Sequence, residues 1–313
     1  MILKDKLIFI ERLNEMIKLV ACDLDGTLFN SDMMVSPENA TAIKAAQQNG
    51  IEFLVATGRA PRESKVLLED AGIKSGFINL NGALVFDASG KLIIKHPIPA
   101  NSAMKLINLL HDNHFYFEIV TADNVYTEDL SKRITNVAHF MVDLNAGITF
   151  REAVAITAGN KSILNMTQVD SYDELFQNED PKIMKFLVFD HRGHEAFEDV
   201  ITEINQLNGL VVTSSSSSNI EINAVQAQKG LALLDYAQIK HIKRKEIAAI
   251  GDNLNDESMI REAGIGVAMG NAVPKIKHLA QITTSSNNDN GVAKVLYKFI
   301  DENKSGNNDE ILA

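Results

Sequence analysis

Val20-Ala21-Cys22-Asp23-Leu24-Asp25-Gly26-Thr27-Leu28 is an apolar run that ends in two aspartates and a glycine. Side chains two apart on an extended strand share a face, so this spacing sets Asp23 beside Asp25 while Leu24 turns into the core. Gly26 then lets the backbone curl. Neighbouring carboxylates repel unless a cation neutralises them, and hard, oxygen-ligated Mg²⁺ accepts one or two carboxylates together with a substrate phosphate. The pair points to phosphoryl chemistry with a metal. An Asp-Gly step also marks an ordinary turn behind a buried strand.

Three later segments carry related chemistry. Ile51-Glu52-Phe53-Leu54-Val55-Ala56-Thr57-Gly58-Arg59 is a second apolar strand running into a hydroxyl and a glycine, which suits a phosphate held by the Thr57 Oγ and the backbone N–H groups around Gly58. Gln228-Lys229-Gly230-Leu231 puts a lysine at the start of an apolar helical run, where its ammonium and the helix N-terminus both favour an anion. Ile247-Ala248-Ala249-Ile250-Gly251-Asp252-Asn253-Leu254-Asn255-Asp256 is a short buried strand, then a turn bearing two carboxylates, Asp252 and Asp256, and two amides, Asn253 and Asn255. Each has a plainer alternative: a strand-to-loop turn, a solvated Lys-Gly pair, an Asx-rich helix cap.

Secondary-structure punctuation places these segments. Ser36 can cap a helix, Pro37 suits its first position and Gly50 the position past its end. A strand follows at Ile51 to Ala56, a helix from Pro61 to about Asp70, and a strand at Phe77 to Leu80. Alternating strand and helix predicts a parallel, doubly wound sheet whose ligands gather at the carboxyl ends of the strands, and all the motifs above stand at such ends. From about Leu84 the pattern loosens into strands at Ala83–Phe86 and Leu92–His96, a helix near Ala100–Asn113, strand-like runs at Ile163–Val169 and Lys185–Phe189, and a helix-like run at Arg192–Gln206. Ser214 to Ser218 reads as a flexible loop. After Lys229 the alternation resumes, with strands near Ile247–Ile250, Ile265–Val267 and Gln281–Thr283. The core is then one domain made from two separated chain segments.

A chain of 313 residues suits about two domains. Thirty basic against 41 acidic side chains give a formal charge of −11, which opposes binding to nucleic acid or to anionic membrane surfaces. No basic patch with interleaved aromatics offsets that. The single cysteine, Cys22, cannot form an internal disulfide, which fits a reducing cytoplasm. Met1 to Lys18 holds neither a membrane span nor a cleavable leader pattern. His111 with His114, and His191 with His194, lack acidic or cysteine partners in sequence and are read as surface or hydrogen-bonded side chains.

Asp-Leu-Asp-Gly-Thr-Leu, Ala-Thr-Gly-Arg, Gln-Lys-Gly and Gly-Asp-Asn-Leu-Asn-Asp, in that order, resemble the four motifs of the haloacid dehalogenase superfamily, most closely its Cof-type phosphatases. Asn79-Leu80-Asn81-Gly82-Ala83, the segment Ala263 to Ala272 and Asn290-Gly291-Val292-Ala293 agree with the same family, so the resemblance spans about residues 17 to 300. It implies an α/β fold: a Rossmannoid parallel-sheet core, 1–83 with 228–313, and an inserted α/β cap of the C2B type, 84–227. Residues 1–15 would be an N-terminal extension, with Met16 an alternative start. By the same resemblance Asp23 is a nucleophile that forms an aspartyl-phosphate, and Asp25 is the acid and then the base. Mg²⁺ is held by Asp23, Asp252 and the Asp25 backbone carbonyl. Thr57, Gly58, Lys229 and Asn255 bind the phosphate, and Asp256 orients lysine or metal water. The implied activity is Mg²⁺-dependent hydrolysis of small phosphate esters, sugar phosphates favoured, by a cytoplasmic monomer or homodimer. A phosphosugar mutase and a noncatalytic phosphometabolite-binding regulator are the alternatives on this scaffold.

Overall fold

The computed structural model describes residues 16–144, 147–160, 164–177, 180–216 and 218–311, so the expected extension over 1–15 lies outside the described residues. The chain divides into two compact units, Met1–Lys95 with Ala227–Ala313 (unit 1) and His96–Gln226 (unit 2). Unit 1 begins with β1 (Leu19–Cys22), α1 (Pro37–Gln48), β2 (Glu52–Ala56), α2 (Pro61–Asp70), β3 (Gly76–Asn79), β4 (Leu84–Phe86) and β5 (Leu92–Lys95). Unit 2 holds α3 (Ala100–Asp112), β6 (Tyr116–Val120), β7 (Val125–Thr127), α4 (Leu130–Leu144), α5 (Phe150–Gly159), β8 (Thr167–Gln168), β9 (Lys185–Phe189), α6 (Glu198–Ile204), β10 (Leu210–Thr213) and β11 (Asn219–Ala224). The chain returns to unit 1 with α7 (Lys229–Ile239), β12 (Ile247–Gly251), α8 (Glu257–Glu262), β13 (Ile265–Ala268), α9 (Pro274–Leu279), β14 (Ile282–Thr283) and α10 (Gly291–Ile311).

Unit 1 is built on an eight-stranded sheet in the order β14-β13-β12-β1-β2-β3-β4-β5. Strands β1 and β12 are buried at every position, which is why their sequences, LVAC and IAAIG, carry no polar side chain and take the centre of the sheet. The sheet is parallel from β14 to β3, whereas β4 and β5 continue it antiparallel. The loosening pattern from 84 places the start of the inserted domain there, but the hairpin belongs to the core sheet. Leu80, Asn81 and Gly82 take positive φ of 50°, 58° and 110°, reversing the chain at once so that Leu84 and Val85 pair back onto Asn79 and Ile78. Helix α1 begins as its punctuation predicts, with the Ser36 Oγ accepting from Asn39 N at 3.1 Å.

The sheet of unit 2 is six-stranded, β10-β11-β9-β6-β7-β8. Ile163 lies outside the described residues, and over the rest of the strand expected to Val169 only β8 forms; the helix expected over Arg192–Gln206 becomes a short turn, His194–Phe197, followed by α6. The serine run links antiparallel β10 and β11. On β6, Glu118 is buried and receives the Tyr116 hydroxyl at 2.8 Å and the Arg133 guanidinium at 3.1 Å, which offset part of the cost of its burial. The histidines also find ordinary partners: His111 meets Glu128 at 2.7 Å and His191 stacks on His139. Among the described residues no helix is long and apolar enough to cross a membrane.

Candidate active site

Parallel register brings the motif ends level. Cys22 at the end of β1 pairs with Ile250 of β12 and Val55 of β2, so Asp23, Thr57 and Asp252 leave the sheet at the same edge, its carboxyl end. The chain does not stay extended to Asp25, as two aspartates on one strand face would require. Strand β1 stops at Cys22, and Leu24–Leu28 form one wide turn closed by Phe29 N donating to Leu24 O at 2.9 Å. Gly26, at φ +78°, makes the turn possible, and a Cβ there would stand 2.6 Å from Asp252 Oδ2.

Lys229 sits at the first turn of α7 with no exposed surface, and its Nζ donates at 2.6 Å both to Asp23 Oδ1 and to Asp256 Oδ1. It can reach so far in because α7 packs hard on the start of α8 at Gly230, where a Cβ would meet Ser258 O at 2.4 Å. Asp256 Oδ2 accepts the backbone N–H groups of Asp252 (2.9 Å) and Asn253 (3.0 Å), so both its oxygens are taken by protein. Asp23, Asp252 and Asp256 form a buried carboxylate cluster with ligand atoms within 4.8 Å of one another. Asp252 Oδ1 accepts the Thr27 hydroxyl at 2.7 Å.

The side chain of Asp25 stands outside that cluster. It is half-exposed and gripped by Arg59, whose Nε and terminal NH₂ donate to its two oxygens at 2.8 and 2.6 Å. Arg59 also lies over the Phe29 ring at 5.7 Å from the centroid. The buried Thr57 Oγ accepts Arg59 N at 3.1 Å, and its own proton goes to no protein acceptor among the described residues, leaving a donor for a ligand. Asn255 is buried on the turn before α8. Gly58 follows Thr57 in the same loop. Two residues of the site escape a reading of the sequence: Thr27 and Arg59, which stand there within their motifs with no part assigned to them. Arg59 is visible in Ala-Thr-Gly-Arg, but only the folded loop shows which carboxylate it meets.

Burial and the Asp256 charge push the Asp23 carboxyl well above the ordinary range, against the pull of Lys229. Burial likewise pushes Asp252 up to about 7, with the charge of Asp256 adding to it. Burial alone would lower Lys229, but the carboxylates of Asp23 and Asp256 outweigh it and hold the ammonium charged. Crowded carboxylates with a single ammonium among them are the condition a hard divalent cation relieves.

A family model of haloacid dehalogenase-like hydrolases matches residues 20–296. The chain is 34% identical over 290 residues to phosphatase YwpJ of Bacillus subtilis, covering 89% of this chain and 98% of that protein. It is 31% identical over 290 residues to YwtE of the same organism, a 5-amino-6-(5-phospho-D-ribitylamino)uracil phosphatase, covering 92% of this chain and 99% of that one. A solved haloacid dehalogenase-like hydrolase from B. subtilis superposes with a TM-score of 0.79 at 34% identity, over 90% of this chain and 99% of the other. A parallel core sheet with its motifs at the strand ends, an α/β insertion, and this match over most of the chain agree: the protein belongs to the haloacid dehalogenase-like hydrolases, of the Cof type, and is a phosphoric monoester hydrolase.

Proposed function

We propose that the protein hydrolyses small phosphorylated metabolites, polyol and sugar phosphates foremost, with Mg²⁺ and through a phosphoaspartate on Asp23. The observation that carries this is Asp23 itself: a buried carboxylate whose Oδ1 is held by Lys229 at 2.6 Å, while Oδ2 has no hydrogen-bond partner among the described residues. The oxygen donors Asp23 and Asp252, with the Asp25 carbonyl that the family resemblance adds, suit Mg²⁺, and Asp256 fixes Lys229 and the Asp252 backbone rather than ligating. Bound there, the ion supplies charge neutralisation for the phosphate oxygens.

In the first step a carboxylate oxygen of Asp23 bonds to phosphorus as the bond to the ester oxygen breaks. The electron pair stays with that oxygen, which takes a proton from Asp25. In the second step a water oxygen bonds to phosphorus, its proton passes to Asp25, and the bond to Asp23 breaks. Thr57 and Gly58 N–H, Lys229 and Asn255 hold the equatorial oxygens. Every one of these groups belongs to unit 1. The YwtE substrate, a phosphate on a ribityl chain, supports the polyol class. The test is phosphate release across a metabolite panel with Mg²⁺ and with excess chelator, together with acid-quench trapping of labelled protein. Turnover undiminished by chelator, or label retained in Asp23→Asn, would sink the reading.

A further inference from the structure

The turn that bears Asp25 and Thr27 is held from a distant part of the chain. Asn271, between β13 and α9, donates from Nδ2 to Gly26 O at 2.7 Å, and its Oδ1 accepts Asn287 N at 3.0 Å. Asn287 in turn donates from its own Nδ2 to Phe29 O at 2.8 Å, so the wide turn is held at its middle and just past its end. The Gly26 carbonyl belongs to the peptide that leads into Thr27. Gly26 has no side chain to restrict that peptide, and the Asn271 amide is a side-chain donor that holds its tilt. The tilt in turn aims the buried Thr27 hydroxyl at Asp252 Oδ1, 2.7 Å away. One oxygen of Asp252 is thereby pinned, and Oδ2 stays on the side of Gly26.

We propose that Asn271 is a positioning residue for the cation site, acting through the Gly26–Thr27 peptide and the Thr27 hydroxyl on Asp252; this rests on the metal dependence proposed above. Hydrogen-bond partners that orient a ligating carboxylate typically change metal affinity by about 10–100-fold when removed. The Asn271 side chain is exposed, so its loss burdens the fold little and its effect on the site can be read separately.

The test is the Mn²⁺ dissociation constant of the full chain, by calorimetry and by the spin resonance of free Mn²⁺, with the cation-free melting temperature taken on each preparation. Asn271→Ala and Thr27→Val should each weaken Mn²⁺ binding about tenfold. The double variant should be no weaker than Thr27→Val alone, and Thr27→Ser, which keeps the hydroxyl, should bind as the unsubstituted protein does. Binding by Asn271→Ala within about twofold of the unsubstituted protein, or losses that multiply in the double variant, would overturn the relay. If the unsubstituted protein binds no Mn²⁺, the metal reading itself falls, and the relay with it.

Discussion

Lys229 is a full positive charge with no exposed surface, tolerable only because two carboxylates accept it. Removing it leaves Asp23 and Asp256 unneutralised and, on the proposed function, takes away a cation from the phosphate. Lys229→Ala should therefore lower turnover about a hundredfold or more, while the circular dichroism spectrum is kept. A loss within about twofold would mark it as a bystander. Asp252 lends itself to a pH test. Its carboxyl lies near 7 in the fold against an ordinary 3.8, so between those values the folded chain holds a proton that the unfolded chain releases. A raised carboxyl pKa makes its contribution to stability fall as pH rises through that window. In chelator, the urea midpoint of the unsubstituted protein should drop relative to Asp252→Asn between about pH 4 and 7 and run parallel above it. A constant difference across the window would contradict the assigned environment.

At the scale of elements, the site is an outcome of close helix packing. Helix α7 carries Lys229 to the carboxylates only because Gly230 lets its backbone lie against Ser258 at the start of α8. Gly230→Ala must push the two helices apart, since a Cβ would stand 2.4 Å from a backbone oxygen that cannot rotate away. Overpacking of this kind costs about 1–3 kcal/mol of stability in urea unfolding. The same shift should withdraw Lys229, so kcat should fall by at least the order seen on misplacing a catalytic group by an ångström, about a hundredfold. Unchanged kcat beside lost stability would separate packing from positioning and count against the role of α7 in delivering Lys229. The wide turn Leu24–Leu28 is the other decisive element. By ending β1 at Cys22 it sends Asp25 to Arg59 while Asp23 remains with Lys229, so two neighbouring aspartates acquire different surroundings.

At the scale of the molecule, every residue of the proposed site lies in unit 1. Mg²⁺ at a hundred times its dissociation constant should stabilise unit 1 by about 2.7 kcal/mol. Hydrogen exchange should show slowed opening of β1 and β12 with β6 and β9 unaffected. Equal protection in both units, or none, would contradict a cation site confined to unit 1. The sequence alone determined the alternation of strand and helix, the parallel core sheet and the level placing of Asp23, Thr57 and Asp252, because apolar runs with punctuated ends define elements and parallel strands deliver their ends to one edge. It also marked Lys229 through its motif. What only the tertiary structure decided is where the core sheet stops, since the β4–β5 hairpin joins it through contacts that local periodicity cannot distinguish from the start of another domain. The partners of Asp25, Thr27 and Asn271 were equally hidden: Arg59, Asp252 and Gly26 lie 34, 225 and 245 residues away along the chain, and hydrogen bonds across such separations leave no periodic trace in a single sequence.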